Sequence, residues 1–312
     1  MTLLAGHPAV RLVAAMSSSP DSAARPLPRL VKVWDGKVEP LNTDRLAKET
    51  DVTFLAVPEQ AAAELAPPLV EAGVRVIDLS GAFRIKDSSA RTKWYPATKV
   101  MPDGAAYGLT EFFRDDVRTA RLVANPGCYP TAALLSLLPL SRAGLLDSKA
   151  GVVVDAKSGI SGAGRAPSDR THFSENHGSV SAYGVFNHRH VAEMEQELAA
   201  AVTFVPHLVP LDRGILETIY VTLAAGTTAE QIADAFDETY RNEPFVRLVG
   251  ETLPEIKHVA YTNFCDIGWR VDAGTRRLVI VSCIDNLVKG AAGQALQNFN
   301  VACGIEERTG LR

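Results

Sequence analysis

The sequence predicts an α/β fold in the first half of the chain and an α+β fold in the second half. Near-continuous apolar runs in the first half end in polar or turn residues, as buried strands do. These runs are residues 11–16, 51–58, 74–80 and 121–125. The alanine-rich stretch 59–73 predicts a helix between the second and third runs, interrupted at Pro67-Pro68. Strands that alternate with helices favour parallel pairing in a doubly wound sheet.

Longer strands with fewer intervening helices characterise the second half. The predicted strands are residues 151–157, 203–209, 216–224 and 277–285. The predicted helices are residues 129–146, 188–201, 228–242 and 285–304. This pattern favours an antiparallel sheet with helices on one face, and the last helix is expected to return to the first domain.

Composition excludes several classes of protein. The 312 residues exceed what one core usually supports, so two domains are expected. A formal net charge of -4 gives no electrostatic reason to expect nucleic acid or an anionic membrane as a partner. No apolar run approaches the roughly eighteen residues of a membrane span, and the first residues lack the features of a secretory signal. We therefore expect a cytoplasmic enzyme or binding protein.

The four cysteines include one in an unusual setting. Cys265, Cys283 and Cys303 lie in apolar stretches and are expected to be inert core residues. Without a C-x-x-C pair, the spacing argues for reduced thiols rather than disulfides or a zinc knuckle. Cys128 instead follows Pro126-Gly127 at the predicted start of a helix. A helix N-terminus stabilises a thiolate, so Cys128 is a candidate nucleophile, the alternative being a small filler at a tight turn.

A histidine pair precedes a second predicted helix, in VFNHRHVAEMEQEL (185–198). Asn187 is expected to cap this helix, with His188 and His190 in its first turn. Glu193 falls three residues after His190 on the same face, where a carboxylate can orient an imidazole that exchanges protons with a nucleophile. The alternative is a solvated amphipathic helix that happens to carry two histidines.

A zinc site is a weaker interpretation of the histidines in this region. Four histidines lie close together in the sequence: His172, His177, His188 and His190. Their spacing fits no common ligand pattern and includes no cysteine, so no metal site is expected.

The stretch KSGISGAGRAPSDRTHFSENHGSVSAYG (157–184) predicts a long polar loop. Loops of this length are uncommon unless they bind something. Ser158, Gly159 and Ser161 offer backbone and hydroxyl donors to an anion, and Arg165 and Arg170 favour one further. The alternative is a flexible surface loop.

Eight segments of the chain resemble, in order, those of one enzyme family. They are VIDLSGAFR (76–84), KWYP (93–96), AYGLTE (106–111), ANPGCYPTA (124–132), KSGISGAGR (157–165), FNHRHVAEMEQ (186–196), VPHLVPLDRGIL (205–216) and DNLVKGAAGQALQNFN (285–300). The family is that of the N-acetyl-γ-glutamyl-phosphate reductases, which are similar to aspartate-semialdehyde and glyceraldehyde-phosphate dehydrogenases.

The resemblance implies a reaction and a domain plan. The reaction is the NADPH-dependent reduction of N-acetyl-γ-glutamyl phosphate to N-acetyl-glutamate 5-semialdehyde and phosphate, in arginine biosynthesis. Residues 1–128 plus 287–312 would form a Rossmann-like NADP-binding domain. Residues 129–286 would form an inserted α+β catalytic and oligomerisation domain of the glyceraldehyde-phosphate dehydrogenase type. Family members are homo-oligomers, so a dimer or tetramer is expected.

The resemblance also assigns roles to residues. Cys128 would form a thioester with the substrate, and His190 would act as the acid and base, oriented by Glu193. Ser158 and Gly159 would meet both substrate and cofactor. Two further substrate-binding residues, His188 and Arg213, and one cofactor-binding residue, Asn286, follow from the matched segments.

The sequence departs from the family at its start. Members begin with a strand, a glycine-rich turn and a helix that hold the cofactor's phosphates. Here Met1 aligns with the end of that helix, so the first strand and the glycine loop are missing from the given sequence. We expect that the start codon is assigned too late or that the polypeptide is truncated, which the DNA upstream of Met1 tests.

Three alternatives remain open from the sequence. The substrate of a closely similar reductase is N-acetyl-aminoadipyl phosphate, in lysine biosynthesis, and one methylene is a weak basis for discrimination. A cysteine hydrolase using Cys128, His190 and Glu193 needs no cofactor. An inactive, truncated form that serves only in subunit contacts is the third.

Overall fold

The structure is a computed structural model that describes residues 1–18, 24–147, 149–164, 166–250, 252–272 and 274–312. The chain divides into two compact units. The first comprises Met1–Pro126 and Ala292–Arg312, and the second comprises Gly127–Ala291. A parallel sheet lies in the first unit and a larger mixed sheet in the second, so the two predicted fold classes are confirmed.

Short helices and strands alternate in the first unit. Its helices before residue 127 are α1 (Thr2–Ala5), α2 (Thr43–Glu49), α3 (Glu59–Glu71), α4 (Ser88–Trp94) and α5 (Thr110–Thr119). Its described strands are β1 (Ala15–Ser17), β2 (Arg25–Pro26), β3 (Lys37–Pro40), β4 (Val52–Leu55), β5 (Arg75–Asp78), β6 (Ala106–Tyr107) and β7 (Leu122–Ala124). They pair in two sheets, β1-β3-β2 and the parallel β4-β5-β7-β6.

Two predictions for this unit are wrong in detail. Residues 11–14 are not part of a strand, and the carbonyl of Leu12 accepts a hydrogen bond from Trp34 Nε1 instead. Pro67 and Pro68 do not interrupt α3. The helix buries Ala62, Leu65, Ala66 and Leu69 in the core beside the parallel sheet. This packing offsets the two helical hydrogen bonds that the prolines cannot donate.

The second unit surrounds one large sheet. Its helices are α6 (Cys128–Arg142), α7 (Phe173–Asn176), α8 (His190–Leu198), α9 (Ala229–Tyr240) and α10 (Ile256–Val259). Its described strands are β8 (Val152–Gly159), β9 (Ser181–Ala182), β10 (Val202–Val209), β11 (Ile215–Thr222), β12 (Val246–Leu248), β13 (Cys265–Asp272) and β14 (Arg277–Ile284). A π-helical turn, Val288–Ala292, leads into α11 (Gly293–Ala302), which belongs to the first unit.

The strand order of this sheet is β12-β13-β14-β11-β8-β10-β9. Most pairs are antiparallel, but β8 pairs with β10 and β12 with β13 in parallel. The expectation of an antiparallel sheet is therefore wrong at these two pairs. The chain between β8 and β10 includes α8, and such a crossover allows parallel pairing. The predicted helix 285–304 is also wrong at its start, since the π-helical turn begins only at Val288.

One face of the large sheet packs against α6 and carries an isolated carboxyl group. Along β8, residues Val152, Val154, Ala156 and Ser158 are buried and alternate with more exposed side chains. Glu217 of β11 lies beside Ala156 on one strand and Ser282 on the other. It is fully buried, and neither carboxyl oxygen accepts a hydrogen bond from any described residue. Burial raises the pKa of the Glu217 carboxyl well above the ordinary 4.5.

Replacing Glu217 by glutamine should make stability less sensitive to pH. Because the folded-state pKa of Glu217 is raised, the carboxyl stays neutral in the folded chain while it ionises in the unfolded chain above about pH 4.5. Rising pH therefore favours the unfolded state of the wild type. Relative to Glu217→Gln, wild-type stability should fall by about 1.4 kcal/mol per pH unit up to the raised pKa. Urea denaturation from pH 4 to 9 measures this. Exposed Glu238, changed to glutamine, is the control, and equal pH dependence of both variants would contradict the assignment.

Candidate active site

The site is built from the second unit, starting at the first residue of α6. Cys128 is that residue, and it follows Gly127, whose backbone is extended with φ −66° and ψ 154°. Pro130 lies in the first helical turn, where its missing N–H leaves no bond unmade. The helix begins at Cys128, one residue earlier than predicted. Cys128 therefore lies at the positive end of the α6 dipole. Its side chain is partly exposed.

A buried glutamate ties this turn to α8. The N–H of Gly127 donates to Oε2 of Glu193 at 2.9 Å, and Glu193 is fully buried. The other oxygen, Oε1, lies 4.0 Å from Nε2 of His190. At that distance the carboxylate attracts a protonated imidazole but does not accept a hydrogen bond from it. The structure thus brings Gly127, Glu193 and His190 together beside Cys128.

The start of α8 differs from the prediction. The helix begins at His190, so His188 lies outside it and Asn187 is not its cap. Instead, the backbone N–H of His190 donates to Nδ1 of His188 at 3.2 Å. Burial and the neighbouring Arg189 lower the pKa of His188 from 6.5 to about 4. His188 is therefore neutral at physiological pH and able to accept this bond.

Aromatic rings pack around the histidines. Tyr129 contacts His188 and His190 edge-on, with ring centroids 5.8 and 5.9 Å apart. Phe204 of β10 lies against Tyr129 and His188. The hydroxyls of Tyr129 and Tyr183 are 3.0 Å apart, and burial raises the pKa of both. These rings exclude water from one side of His190.

The end of β8 packs against the turn that carries Arg213. A Cβ atom on Gly159 would lie 2.7 Å from the backbone nitrogen of Arg213, so only glycine allows this approach. Ser158 is buried, and its hydroxyl donates to the carbonyl of Gly159. Asn286 accepts from the N–H of Gly214 at 2.7 Å and donates to Oγ of Ser161 at 3.0 Å. The N–H of Gly159 donates to the carbonyl of Gly214 at 2.9 Å, so Ser158, Gly159 and Asn286 belong to one hydrogen-bonded cluster.

Arg213 is held by an acidic partner. Its Nη1 donates to Oδ2 of Asp285 at 3.0 Å, and Asp285 is fully buried. The guanidinium also lies 4.0 Å from the ring centroid of Tyr261. Sequence reasoning found Arg213 through the family resemblance alone and missed Asp285 and Tyr261.

A second glycine lies directly against the cysteine. A Cβ on Gly290, in the π-helical turn, would lie 2.7 Å from Cβ of Cys128. This close approach requires glycine and was not predicted. The signal available in the sequence is a glycine within an otherwise helical pattern, which often marks close packing.

Other candidate residues lie elsewhere. Cys265 and Cys283 are buried as predicted, whereas Cys303 is exposed, which corrects its assignment to the core. Arg165 lies outside the described residues. In the described part of the chain, no three or more histidine, cysteine or acidic residues are grouped to hold a metal ion. No helix in that part is long and apolar enough to cross a membrane.

Comparisons with known proteins show the family of this chain. Residues 1–120 match the NAD binding domain of semialdehyde dehydrogenases, and residues 128–286 match the semialdehyde dehydrogenase dimerisation domain. N-acetyl-gamma-glutamyl-phosphate reductase of Desulforapulum autotrophicum is 44% identical over 320 residues, covering 99% of this chain and 92% of that one. The chain belongs to the N-acetyl-γ-glutamyl-phosphate reductase family. The resemblance read from the sequence is thereby confirmed.

Further members of the reductase family show the same level of similarity. The enzyme named N-acetyl-gamma-glutamyl-phosphate reductase from Brevibacillus brevis is 45% identical over 321 residues. The one from Symbiobacterium thermophilum is 46% identical over 323 residues. Each alignment covers 99% of this chain and 92% of the relative.

Two solved structures of other enzymes share the fold of this chain. Aspartate semialdehyde dehydrogenase II from Vibrio cholerae, complexed with ASA, superposes with a TM-score of 0.71 and 18% identity, over 97% of this chain and 94% of that chain. Aspartate semialdehyde dehydrogenase with NADP from Candida albicans has a TM-score of 0.67 and 15% identity, over 96% and 92%.

Substituting alanine for Gly127 should disable the site without disturbing the fold. Its φ and ψ suit alanine, but the added Cβ would lie 2.6 Å from Nε2 of His190 and 2.9 Å from Oε1 of Glu193. Displacing the imidazole should lower kcat about 100-fold, measured by steady-state kinetics with melting temperature as the check on folding. Gly6→Ala is the control, because a Cβ there makes only ordinary contacts. Equal activity of both variants would contradict the geometry.

Proposed function

We propose that the chain catalyses the NADPH-dependent reduction of N-acetyl-γ-glutamyl phosphate to N-acetyl-glutamate 5-semialdehyde and phosphate, in arginine biosynthesis. The observation that carries the proposal is Cys128 at the N-terminus of α6, with Glu193 joined to the preceding residue and His190 beside it. The names of the relatives support the glutamyl substrate rather than the aminoadipyl one.

Cys128 acts as the nucleophile in this proposal. His190 accepts the Sγ proton, and the thiolate, stabilised by the α6 N-terminus, attacks the acyl carbon. The C–S bond forms, the bond between that carbon and the phosphate oxygen breaks, and phosphate leaves. His190 later protonates the oxyanion of the reduced thioester. When the C–S bond breaks, His190 takes that proton back from the hydroxyl, so that the aldehyde C=O forms, and returns it to Sγ.

Glu193 serves His190 in two ways. Its carboxylate stabilises the imidazolium that forms when Sγ is deprotonated, because Oε1 is 4.0 Å from Nε2. The hydrogen bond from Gly127 fixes the carboxylate while that charge appears and disappears. Arg213 and neutral His188 bind the anionic groups of the substrate.

NADPH supplies the hydride when it is bound. The residues present fit a dinucleotide in the first unit, because β4, β5 and β7 are parallel and end at one edge, where such sheets bind nucleotides. The N-terminus of α3 follows β4 at this edge, with Glu59 as its first residue. Residues 1–18 provide no glycine-rich turn between a strand and a helix. Ser158, Gly159 and Asn286 are the cofactor-binding residues that the family resemblance implies.

We also propose that the chain forms a homo-oligomer and works in the cytoplasm, where a reduced Cys128 persists. The dimerisation-domain match supports the oligomer. So does the sheet face of the second unit opposite α6, where register partners Val153 and Tyr220 remain 39% and 45% exposed.

Changing Cys128 to serine should abolish turnover and leave NADPH binding as it is in the wild type. The hydroxyl is a much weaker nucleophile at neutral pH, so kcat should fall at least 1000-fold. Acyl-phosphate-dependent oxidation of NADPH measures turnover, and calorimetry measures binding. Cys303→Ser, at an exposed thiol, should retain full activity. Hydrolysis by the wild type without any NADPH-dependent reduction, or a kcat for Cys128→Ser less than about 1000-fold below that of the wild type, would overturn the proposal.

A further inference from the structure

Tyr261 has a conformation that tyrosine does not favour. Its φ is +66°, in the left-handed region where residues with a side chain are strained. Its ring is 67% exposed, so burial of apolar surface does not compensate. Such strain persists where the surrounding structure fixes the residue, and it often accompanies function.

The surroundings that fix Tyr261 are those of Arg213. The backbone N–H of Tyr261 donates to Oδ2 of Asp285 at 2.6 Å, and the same oxygen accepts from Nη1 of Arg213 at 3.0 Å. The Tyr261 ring lies over the guanidinium, with Cζ 4.0 Å from the ring centroid. Asp285 therefore fixes one edge of the guanidinium and the tyrosine covers one of its faces.

The rest of the guanidinium is available to a ligand. Nε lies 3.9 Å from Oδ2 of exposed Asp212, which attracts the guanidinium but accepts no hydrogen bond from it; this oxygen accepts one from the Tyr261 hydroxyl at 3.5 Å. Nη2 donates to no described residue, and the side chain is 20% exposed. The backbone of Arg213 packs on Gly159, so the guanidinium is positioned by the end of β8, which also carries Ser158.

We infer that Tyr261 is a positioning residue that holds Arg213 ready to bind an oxyanion of the substrate. The inference rests on the proposed function, whose substrate carries a carboxylate and an acyl phosphate. Either anion suits the free guanidinium edge. Without the ring, the Arg213 side chain samples more rotamers before the substrate binds. Fixing it on binding then costs more conformational entropy, so substrate affinity falls while the chemical step is unaffected.

The test uses the full chain in the direction of semialdehyde oxidation, where phosphate and semialdehyde are separate substrates. Tyr261→Gly removes the ring and suits a φ of +66°, so its melting temperature should not fall. We expect KM for one of the two substrates to rise about five- to tenfold, with kcat within about twofold. Tyr261→Phe keeps the ring and should retain the wild-type KM. The substrate whose KM rises identifies which anion Arg213 binds.

A double-mutant cycle shows whether the effect acts through Arg213. In an Arg213→Gln background, Tyr261→Gly should change neither KM by more than about twofold, because the cation is absent. An unchanged KM in Tyr261→Gly alone, or the same rise in the Arg213→Gln background, would overturn the inference. Wild-type chain that shows no phosphate-dependent reduction of NADP⁺ would instead overturn the proposed function, so the two failures are distinguishable.

Discussion

The hydrogen bond from Gly127 to Glu193 is the constraint on which the site depends. It joins the residue before the cysteine to the helix that carries His190. The fully buried carboxylate of Glu193 needs a hydrogen-bond donor, and the N–H of Gly127, just before α6, supplies it. The backbone of Gly127 also passes close to the imidazole of His190. Only glycine leaves room for this approach. The position of the proposed nucleophile and that of its acid and base are therefore set by one contact.

A second buried carboxylate organises the opposite side of the site. Asp285 accepts hydrogen bonds from Arg213 and from the backbone of Tyr261, Leu287 and Val288. These bonds shape the turn that brings Gly290 against Cys128. Both acidic groups are paired with donors, whereas Glu217 of β11 is not paired with any described residue. Buried carboxylates thus fix the backbone around the site, whereas the carboxyl of Glu217 in β11 is kept neutral by burial.

The sequence was most informative where one residue type dominates a local pattern. Long β-branched runs predicted β8, β10, β11 and β14 to within about two residues, and residue chemistry made Cys128 and His190 candidates. Parallel pairing of β8 with β10 was missed because it depends on a distant crossover. The continuous helix through Pro67-Pro68 was missed because tertiary packing decides it. The close contact of Gly290 with Cys128 joins residues far apart in the chain. A glycine within a helical pattern signals close packing at Gly290 but does not identify its partner.

Formation of a thioester on Cys128 is the central claim, and it can be tested without the cofactor. Mixing the chain with N-acetyl-γ-glutamyl phosphate alone, quenching with acid and mapping peptides by mass spectrometry reports the acylated residue. The account predicts a burst of about one phosphate per chain and an N-acetylglutamyl group on the peptide that contains Cys128. Phosphate release without any adduct on that peptide, or an adduct on Cys303 instead, would contradict it.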